Sequence, residues 1–193
     1  PLPKRQKIER AALEEFAAHG YDGSNLNRIV EGSRIAKGSF YQYFEDKKDL
    51  YFHLIETIAQ KKLQYLEPAL RDYRRHSFAY NMAELFRLAF AFADSDPLLY
   101  KIGGDFALRQ KAFADEFLEN YKPTAFDIYG KLLLRARENG ELRDDVNIPL
   151  AAAFINVFVS RVSLEFILTE NKEQRETMAR ELIKFVERAV LKP

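Results

Sequence analysis

The chain has 193 residues, 47% hydrophobic and 31% charged, with 30 Lys and Arg against 29 Asp and Glu, a composition ordinary for a soluble globular protein and sufficient for a well-buried core in one large or two smaller domains. It contains no cysteine, which excludes disulfides, thiolate chemistry and cysteine-ligated zinc and makes the cytoplasm the expected compartment. Near-neutral net charge means that any nucleic-acid reading must rest on where the charges sit: residues 1–48 hold nine Lys and Arg against seven Asp and Glu, only a small basic excess.

Apolar residues recur at three and four along nearly the whole chain and strand signals are almost missing, so the expected class is all-α. The opening PLPKRQKIERAA lacks an apolar signal core and reads as a trimmed or disordered start rather than a targeting peptide. Ile8, Ala12 and Phe16 at i, i+4 and i+8 predict a helix from Lys4 to His19, stopped by Gly20. Ser24 or Asn25 can cap a short second helix with Leu26, Ile29 and Val30 on its inner side, and Ile35 lies in the connection to another short helix whose inner side is Phe40 and Phe44. Its outward positions are Lys37, Ser39, Gln42 and Tyr43, side chains suited to phosphates and base edges. Asp46 followed by Asp49 resembles a capping box opening a longer helix to about Leu66, with Pro68 expected to break or kink the chain.

Phe78 to Ala93 predicts the next helix, and the cluster Asp94-Ser95-Asp96-Pro97 ends it and starts another, Pro97 suiting a first helical turn. Gly103 and Gly104 should weaken that helix; Ala107 to Tyr121 and Thr124 to Asn139 read as two more helices, the second closed by Gly140. Asn147 and Pro149 open an apolar helix through Thr169, and a last amphipathic helix runs from about Lys172 to Leu191. Within the apolar one, Asn156, Arg161 and Glu165 are costly at bilayer depth, so it reads as a helix buried in protein and no membrane partner is expected.

The segment GYDGSNLNRIVEGSRIAKGSFYQYFEDKKDL, with Ile8, Ala11, Ala12, Leu13, Phe16 and Gly20 upstream, resembles the signature of the TetR family of one-component bacterial transcriptional regulators. The likeness covers roughly residues 5–54, about a quarter of the chain; the remainder matches only in helix count and length. It implies an N-terminal three-helix DNA-binding domain with a helix-turn-helix (1–45), a larger C-terminal ligand-binding and dimerisation domain (46–193), and a homodimer. Two positions depart from the family pattern. Arg34 stands where a turn glycine is usual, at a strain on the order of 1 kcal/mol if positive φ is required there. Ala36 stands where a serine often caps the recognition helix, leaving that start to water, backbone or phosphate.

On the double-stranded operator, Lys37, Gly38, Ser39 and Gln42 would meet the major groove, Lys as donor to guanine acceptors and Gln bidentate to adenine. Tyr41 and Tyr43 are phosphate contacts, Lys47 at a helix start is a phosphate clamp, and Ser24, Asn25, Asn27 and Arg28 grip the flanking backbone. A basic arm of Lys4, Arg5 and Lys7 would add nonspecific affinity or enter a minor groove. In the C-terminal part, abundant aromatics permit a roomy cavity for a small, largely apolar effector, with Phe90, Tyr129 and Phe154 as lining candidates. Asn156 is either a pocket hydrogen bonder or a satisfied core amide. Arg161 either pairs with Glu165, four residues on, or clasps an anionic ligand. The helix 149–169 is apolar around nearly its whole circumference and the last helix holds more than one apolar stripe, as a two-fold four-helix contact between subunits would require.

The expected function is therefore a ligand-responsive DNA-binding repressor released by its effector. The alternative is a dimeric small-molecule-binding helical protein whose DNA binding is weakened or lost. An enzyme is not expected, nor is a metal or cofactor: His19, His53 and His76 are scattered, and neither an HExxH pair nor a nucleophile elbow is present.

Overall fold

The computed structural model describes residues 3–107, 113, 116–117, 128–167 and 171–193, with backbone alone at residues 160 and 162–167. Helix α1 spans Lys4–Gly23 and is interrupted at Gly20, whose φ of 64° is open to glycine without a Cβ penalty. The expected stop is thus a break, after which one further turn reaches Gly23. Asn25 caps α2 (Leu26–Ser33), its Oδ1 accepting from the Asn27 N–H at 2.8 Å. Arg34 ends α2 in the left-handed region (φ 53°, ψ 43°), its N–H donating to the Glu31 carbonyl, and α3 occupies Lys37–Phe40 with Ala36 as an uncapped start.

Helix α4 (Lys47–Asp72) begins on reciprocal bonds: Asp46 Oδ1 accepts from the Asp49 N–H at 2.8 Å, and Asp49 Oδ2 from the Glu45 N–H at 3.0 Å. Contrary to expectation it runs through Pro68 and ends in a 3-10 turn at Tyr73–Arg75. The proline deprives only the Gln64 carbonyl of its donor, and both residues lie on the exposed side where water can replace it, while Leu66 and Ala69 stay buried on the other. Helix α5 spans Phe78–Ser95 and α6 Pro97–Ala107. Helix α6 runs unbroken through the glycine pair, and a Cβ on Gly103 would stand 3.0 Å from Ile58 Cγ2, so the missing side chain is what allows α6 to approach α4 there.

Helix α7 (Ile128–Glu138) closes through Gly140 at φ 75°, with Gly140 N–H donating to the Arg137 carbonyl and Glu141 N–H to that of Ala136, a left-handed C-terminal motif. The predicted helix 107–121, the first residues of its successor and Thr169 lie largely outside the described residues. Asn147 Oδ1 accepts from the Leu150 N–H to start α8 (Ile148–Ile167). Asn171 and Gln174 form a capping box at the head of α9 (Lys172–Val190), a signal that lies in the sequence outside its apolar periodicity. Leu142 and Leu191 make an isolated antiparallel bridge.

Contacts divide the chain into two compact units. The first, Pro1–Lys61 with Asp96–Pro123, packs α1 against α2, α3 and α6 around Ile8, Phe16, Ile29, Phe40, Leu50 and Tyr51, all at 3% exposure or less. The second, Lys62–Ser95 with Thr124–Pro193, packs α5 on α7 and α9, and α8 on α7 and α9, around Phe78, Met82, Leu133, Ile155 and Val186. No helix among the described residues is long and apolar enough to cross a membrane.

Because Arg34 holds a backbone conformation that disfavours a Cβ, Arg34→Gly should stabilise the chain by about 1 kcal/mol in chemical denaturation; an unchanged or lowered midpoint would show that the turn carries no such strain.

Candidate nucleic-acid interface

Four residues of helix are too few to persist in water, so α3 is held by what it buries. Phe40 is fully buried and Phe44 4% exposed, their rings 5.8 Å apart, and Ser33, buried beneath the turn, donates to the Val30 carbonyl at 2.7 Å. The helical path continues past α3 in the bonds from the Tyr43 and Phe44 N–H groups to the Phe40 carbonyl. The outward-facing set is therefore split: Lys37, Gly38 and Ser39 are on α3, while Tyr41, Gln42 and Tyr43 are on the turn beyond it.

Their outer edge is open. Lys37, Gly38 and Gln42 are exposed, Tyr41 is 53% and Tyr43 41% exposed, and nothing lies within 4 Å of where a Cβ on Gly38 would sit. Two light contacts orient this edge: the Lys37 ammonium donates to Asn27 Oδ1 at 3.1 Å, and Lys4 Nζ to Ser39 Oγ at 3.4 Å. A compact polar strip thus runs from Asn27 on α2 across Lys37 to Gln42, with apolar residues only beneath it.

The flanking candidates are built more rigidly than the sequence suggested. Ser24 is buried and its hydroxyl donates to the Tyr21 carbonyl at 2.6 Å. Lys47 Nζ donates to the Tyr21 and Ser24 carbonyls at 2.7 and 3.1 Å and lies 4.4 Å from the Tyr21 ring centroid, so two of its three donors tie the end of α1 to the start of α4. Arg28 donates through Nε to Glu15 Oε1 at 2.8 Å and through Nη2 to the Gly23 carbonyl at 2.8 Å. The same Glu15 oxygen accepts from the Asn25 N–H at 2.9 Å. Glu15 thereby organises the approach to α2, with its side chain only 10% exposed. The bond from Arg28 holds its carboxyl below the usual range, with burial opposing and the Asn25 amide assisting.

The basic arm is likewise not free: Lys4, Arg5 and Lys7 belong to α1. Arg5 Nε donates to Glu9 at 3.1 Å and its guanidinium lies over the Phe44 ring at 5.6 Å, while Glu9 also meets His53 at 2.9 Å.

The effector candidates separate into two groups. Phe90 and Tyr129 are half-buried against the core of the second unit; the Arg175 guanidinium lies 5.9 Å from the Phe90 ring centroid and ion-pairs with Asp94 at 2.8 Å, and burial pushes the Tyr129 phenol up to about 12. Phe154, by contrast, is 56% exposed and stacks on Phe158 at 5.7 Å. It shares the outer face of α8 with Leu150, Val157 and Arg161, spaced at four, three and four, and is not gathered with Phe90 and Tyr129. Asn156 is half-buried in a groove of 760 Å³ lined also by Leu134, Arg137, Pro149 and Ala152. The expected pairing of Arg161 with Glu165 falls outside the described side chains.

Residues 8–54 match the family model for bacterial regulatory proteins, tetR family. Over 177 residues the chain is 25% identical to the fatty acid metabolism regulator protein of Bacillus subtilis strain 168, covering 88% of this chain and 87% of that protein. It is 24% identical over 173 residues to the HTH-type transcriptional repressor AcnR of Corynebacterium diphtheriae, covering 83% and 81%. The fold is shared with the transcriptional regulator FadR from Bacillus subtilis, solved in complex with stearoyl-CoA: TM-score 0.70, 20% identity, 94% of this chain and 97% of that one. These relatives are transcription regulators, not enzymes.

The Glu15 network gives a pH signature. Its folded carboxyl titrates below the unfolded one, so the stability it contributes is present above the ordinary carboxylate range and lost as pH falls through the depressed folded value. Glu15→Gln should therefore lower stability near neutrality by about 1 kcal/mol, the deficit shrinking in acid; a deficit independent of pH would exclude the charged bond as its source.

Proposed function

We propose that the chain is a TetR-family transcriptional regulator and, from that premise, a ligand-responsive repressor, acting in the cytoplasm, which binds a palindromic operator as a homodimer and is released by a small, largely apolar effector. The observation that carries this reading is the open polar edge Lys37, Gly38, Ser39, Gln42 standing on the locked pair Phe40 and Phe44. Lys37 and Gln42 read base edges. Tyr41, Tyr43 and the third donor of Lys47 take phosphates, and Asn25, Asn27 and Arg28, fixed by Glu15, set the register on the flanking strand, with Ser24 holding the loop between them. Gly38 lets the duplex approach the backbone of α3 closely.

Residues 1–45 form the DNA-binding domain in this reading and 46–193 the ligand-binding and dimerisation domain. The dimer is supported by the exposed apolar stripe of α8 (Leu150 and Val157 at 70%, Phe154 at 56%) together with Phe185 of α9 at 54%, a continuous surface that water disfavours and a second copy would cover. Two copies would then place recognition helices about 34–36 Å apart on successive major grooves. Phe90 and Tyr129 face the effector, and Phe154 belongs to the subunit contact. Asn156 and Arg161, on the same helix, remain candidates for the effector's polar end. A coupling of about 1–3 kcal/mol between effector and operator, transmitted along α4, suffices for repression and release.

Selection from a random duplex pool should return a palindrome whose affinity falls steeply with salt. Lys37→Ala and Gln42→Ala should each weaken it by about 1–3 kcal/mol and relax the sequence preference. Absence of duplex binding at low salt, or binding indifferent to salt, would defeat the regulator reading and favour a small-molecule carrier. Independently, Val157→Asp should convert a dimer to a monomer in sedimentation analysis and abolish tight operator binding; a wild-type chain that sediments as a monomer would remove the α8 contact from the proposal.

A further inference from the structure

Helices α7 and α8, both in the second unit, face each other across the groove of 760 Å³. From α7 it is lined by Gly130, Leu134 and Arg137, spaced at four and three, and from α8 by Pro149, Ala152, Ala153 and Asn156, spaced at three, one and three. Each set is one face of a helix. The space exists because Gly130, Ala152 and Ala153 carry too little side chain to fill it, while Leu133, Ile155 and Val159 join the two helices to the core from other faces. Leu134 is exposed, as are Pro149 and Ala153, so the groove shows hydrocarbon to water that an apolar occupant would cover.

The polar lining is Arg137, Asn147 and Asn156, with no carboxylate among the described residues. Arg137 Nη2 donates to the Val146 carbonyl at 2.7 Å, which holds the guanidinium beside Asn147 at the start of α8 and leaves the other donors of its planar fork for a ligand. Asn147 uses Oδ1 to accept from the Leu150 N–H at 3.0 Å, so its amide nitrogen remains a donor. The carboxylates nearby in the chain are engaged elsewhere: Glu138 with Arg135, Asp145 with Arg143, Asp144 with Lys192, and Glu141 with the Phe78 N–H. Arg137 takes part in no ion pair among the described residues. This end of the groove is therefore a group of N–H donors around an uncompensated positive charge.

The other end differs. Asn156 stands seven residues beyond Pro149, about 10 Å along the axis of α8. It is half-buried and makes no hydrogen bond among the described residues. Between the two ends the lining is hydrocarbon from Leu134, Ala152 and Ala153. An arginine on an exposed helix is ordinarily solvated; Arg137 differs in being tied by a backbone carbonyl at the end of an apolar groove. A planar fork so placed matches the two oxygens of a carboxylate or phosphate.

We propose that the groove between α7 and α8 binds a small amphipathic acid, its anionic head held by Arg137 and Asn147 and its apolar body lying over Leu134, Ala152 and Ala153 towards Asn156. Charge decides the occupant. The α8 stripe of a second copy, Leu150, Phe154 and Val157, would bring no carboxylate to the guanidinium, whereas an acid with an apolar body satisfies both the charge and the hydrocarbon. The site goes beyond the effector reading given above: neither Phe90 nor Tyr129 lines it, and it takes Asn156 from the candidates for that effector's polar end.

Isothermal titration calorimetry on the full chain tests it with octanoate, decanoate and dodecanoate, the alkyl phosphates and the primary alcohols of matching length, each kept below its micellar concentration. The wild type should bind one class of anion roughly tenfold or more tightly than the alcohol, the better of carboxylate and phosphate identifying the head group. Arg137→Gln should lose roughly ten- to hundredfold for the anion, the loss of a charged hydrogen bond, and little for the alcohol, while Arg137→Lys, which keeps the charge, should lose less. Ala153→Trp, at an exposed position, should fill the groove and abolish binding of anion and alcohol alike. If Arg137→Gln fails to fold for want of its bond to Val146, Arg137→Lys and Ala153→Trp carry the comparison. Equal wild-type affinity for anion and alcohol, full anion affinity in Arg137→Gln, or no binding of any probe overturns the proposal and leaves the effector reading standing. Unaltered binding in Ala153→Trp overturns it by placing the ligand elsewhere in the chain. Sedimentation of the variants should match the wild type; a changed oligomeric state would show that a second copy occupies the groove, and would overturn the proposal as well.

Discussion

The burial of Phe40 is the contact on which the proposed function of this protein depends. A helix of four residues has almost no hydrogen bonds of its own and would dissolve in water; full burial of that one ring, worth about 2–3 kcal/mol in transfer free energy, and of Phe44 a turn later, fixes α3 to α1 and the start of α4. What is fixed from below is thereby offered from above. Lys37, Gly38 and Gln42 face out because the periodicity that sends Phe40 inward leaves them no other direction. Beyond the light contacts of Lys37 with Asn27 and of Lys4 with Ser39, the outer edge is held from below.

Around that anchor the first unit uses polar groups mainly as struts. Glu15 binds the backbone of Asn25 and the guanidinium of Arg28 together, and Lys47 holds two carbonyls just beyond the Gly20 break. Residues that sequence reasoning treats as free to grip phosphate are thus already ordered by their own chain. Ordering them beforehand lowers the conformational entropy lost when a ligand is bound, and it fixes which of their donors still point outward.

Most of the fold was legible in the sequence because helix starts and stops are local chemistry. Asn25, the Asp46 and Asp49 pair, Pro97, Gly140 and Asn147 sit where the structure uses them. Pro68 and Gly103 misled because their effects are decided by neighbours remote in sequence: exposure of the face on which Pro68 lies, and the Ile58 methyl that would meet a Cβ at Gly103. The outward edge of α3 was legible for the same reason as the helices, from spacing alone. Glu15 was not, since its partners lie ten and thirteen residues away beyond a break in the helix. Phe154 poses a different problem: periodicity tells how many faces of α8 are apolar, but a cavity wall and a subunit face have the same composition, and its 56% exposure within one chain is what favours the second in the proposed reading.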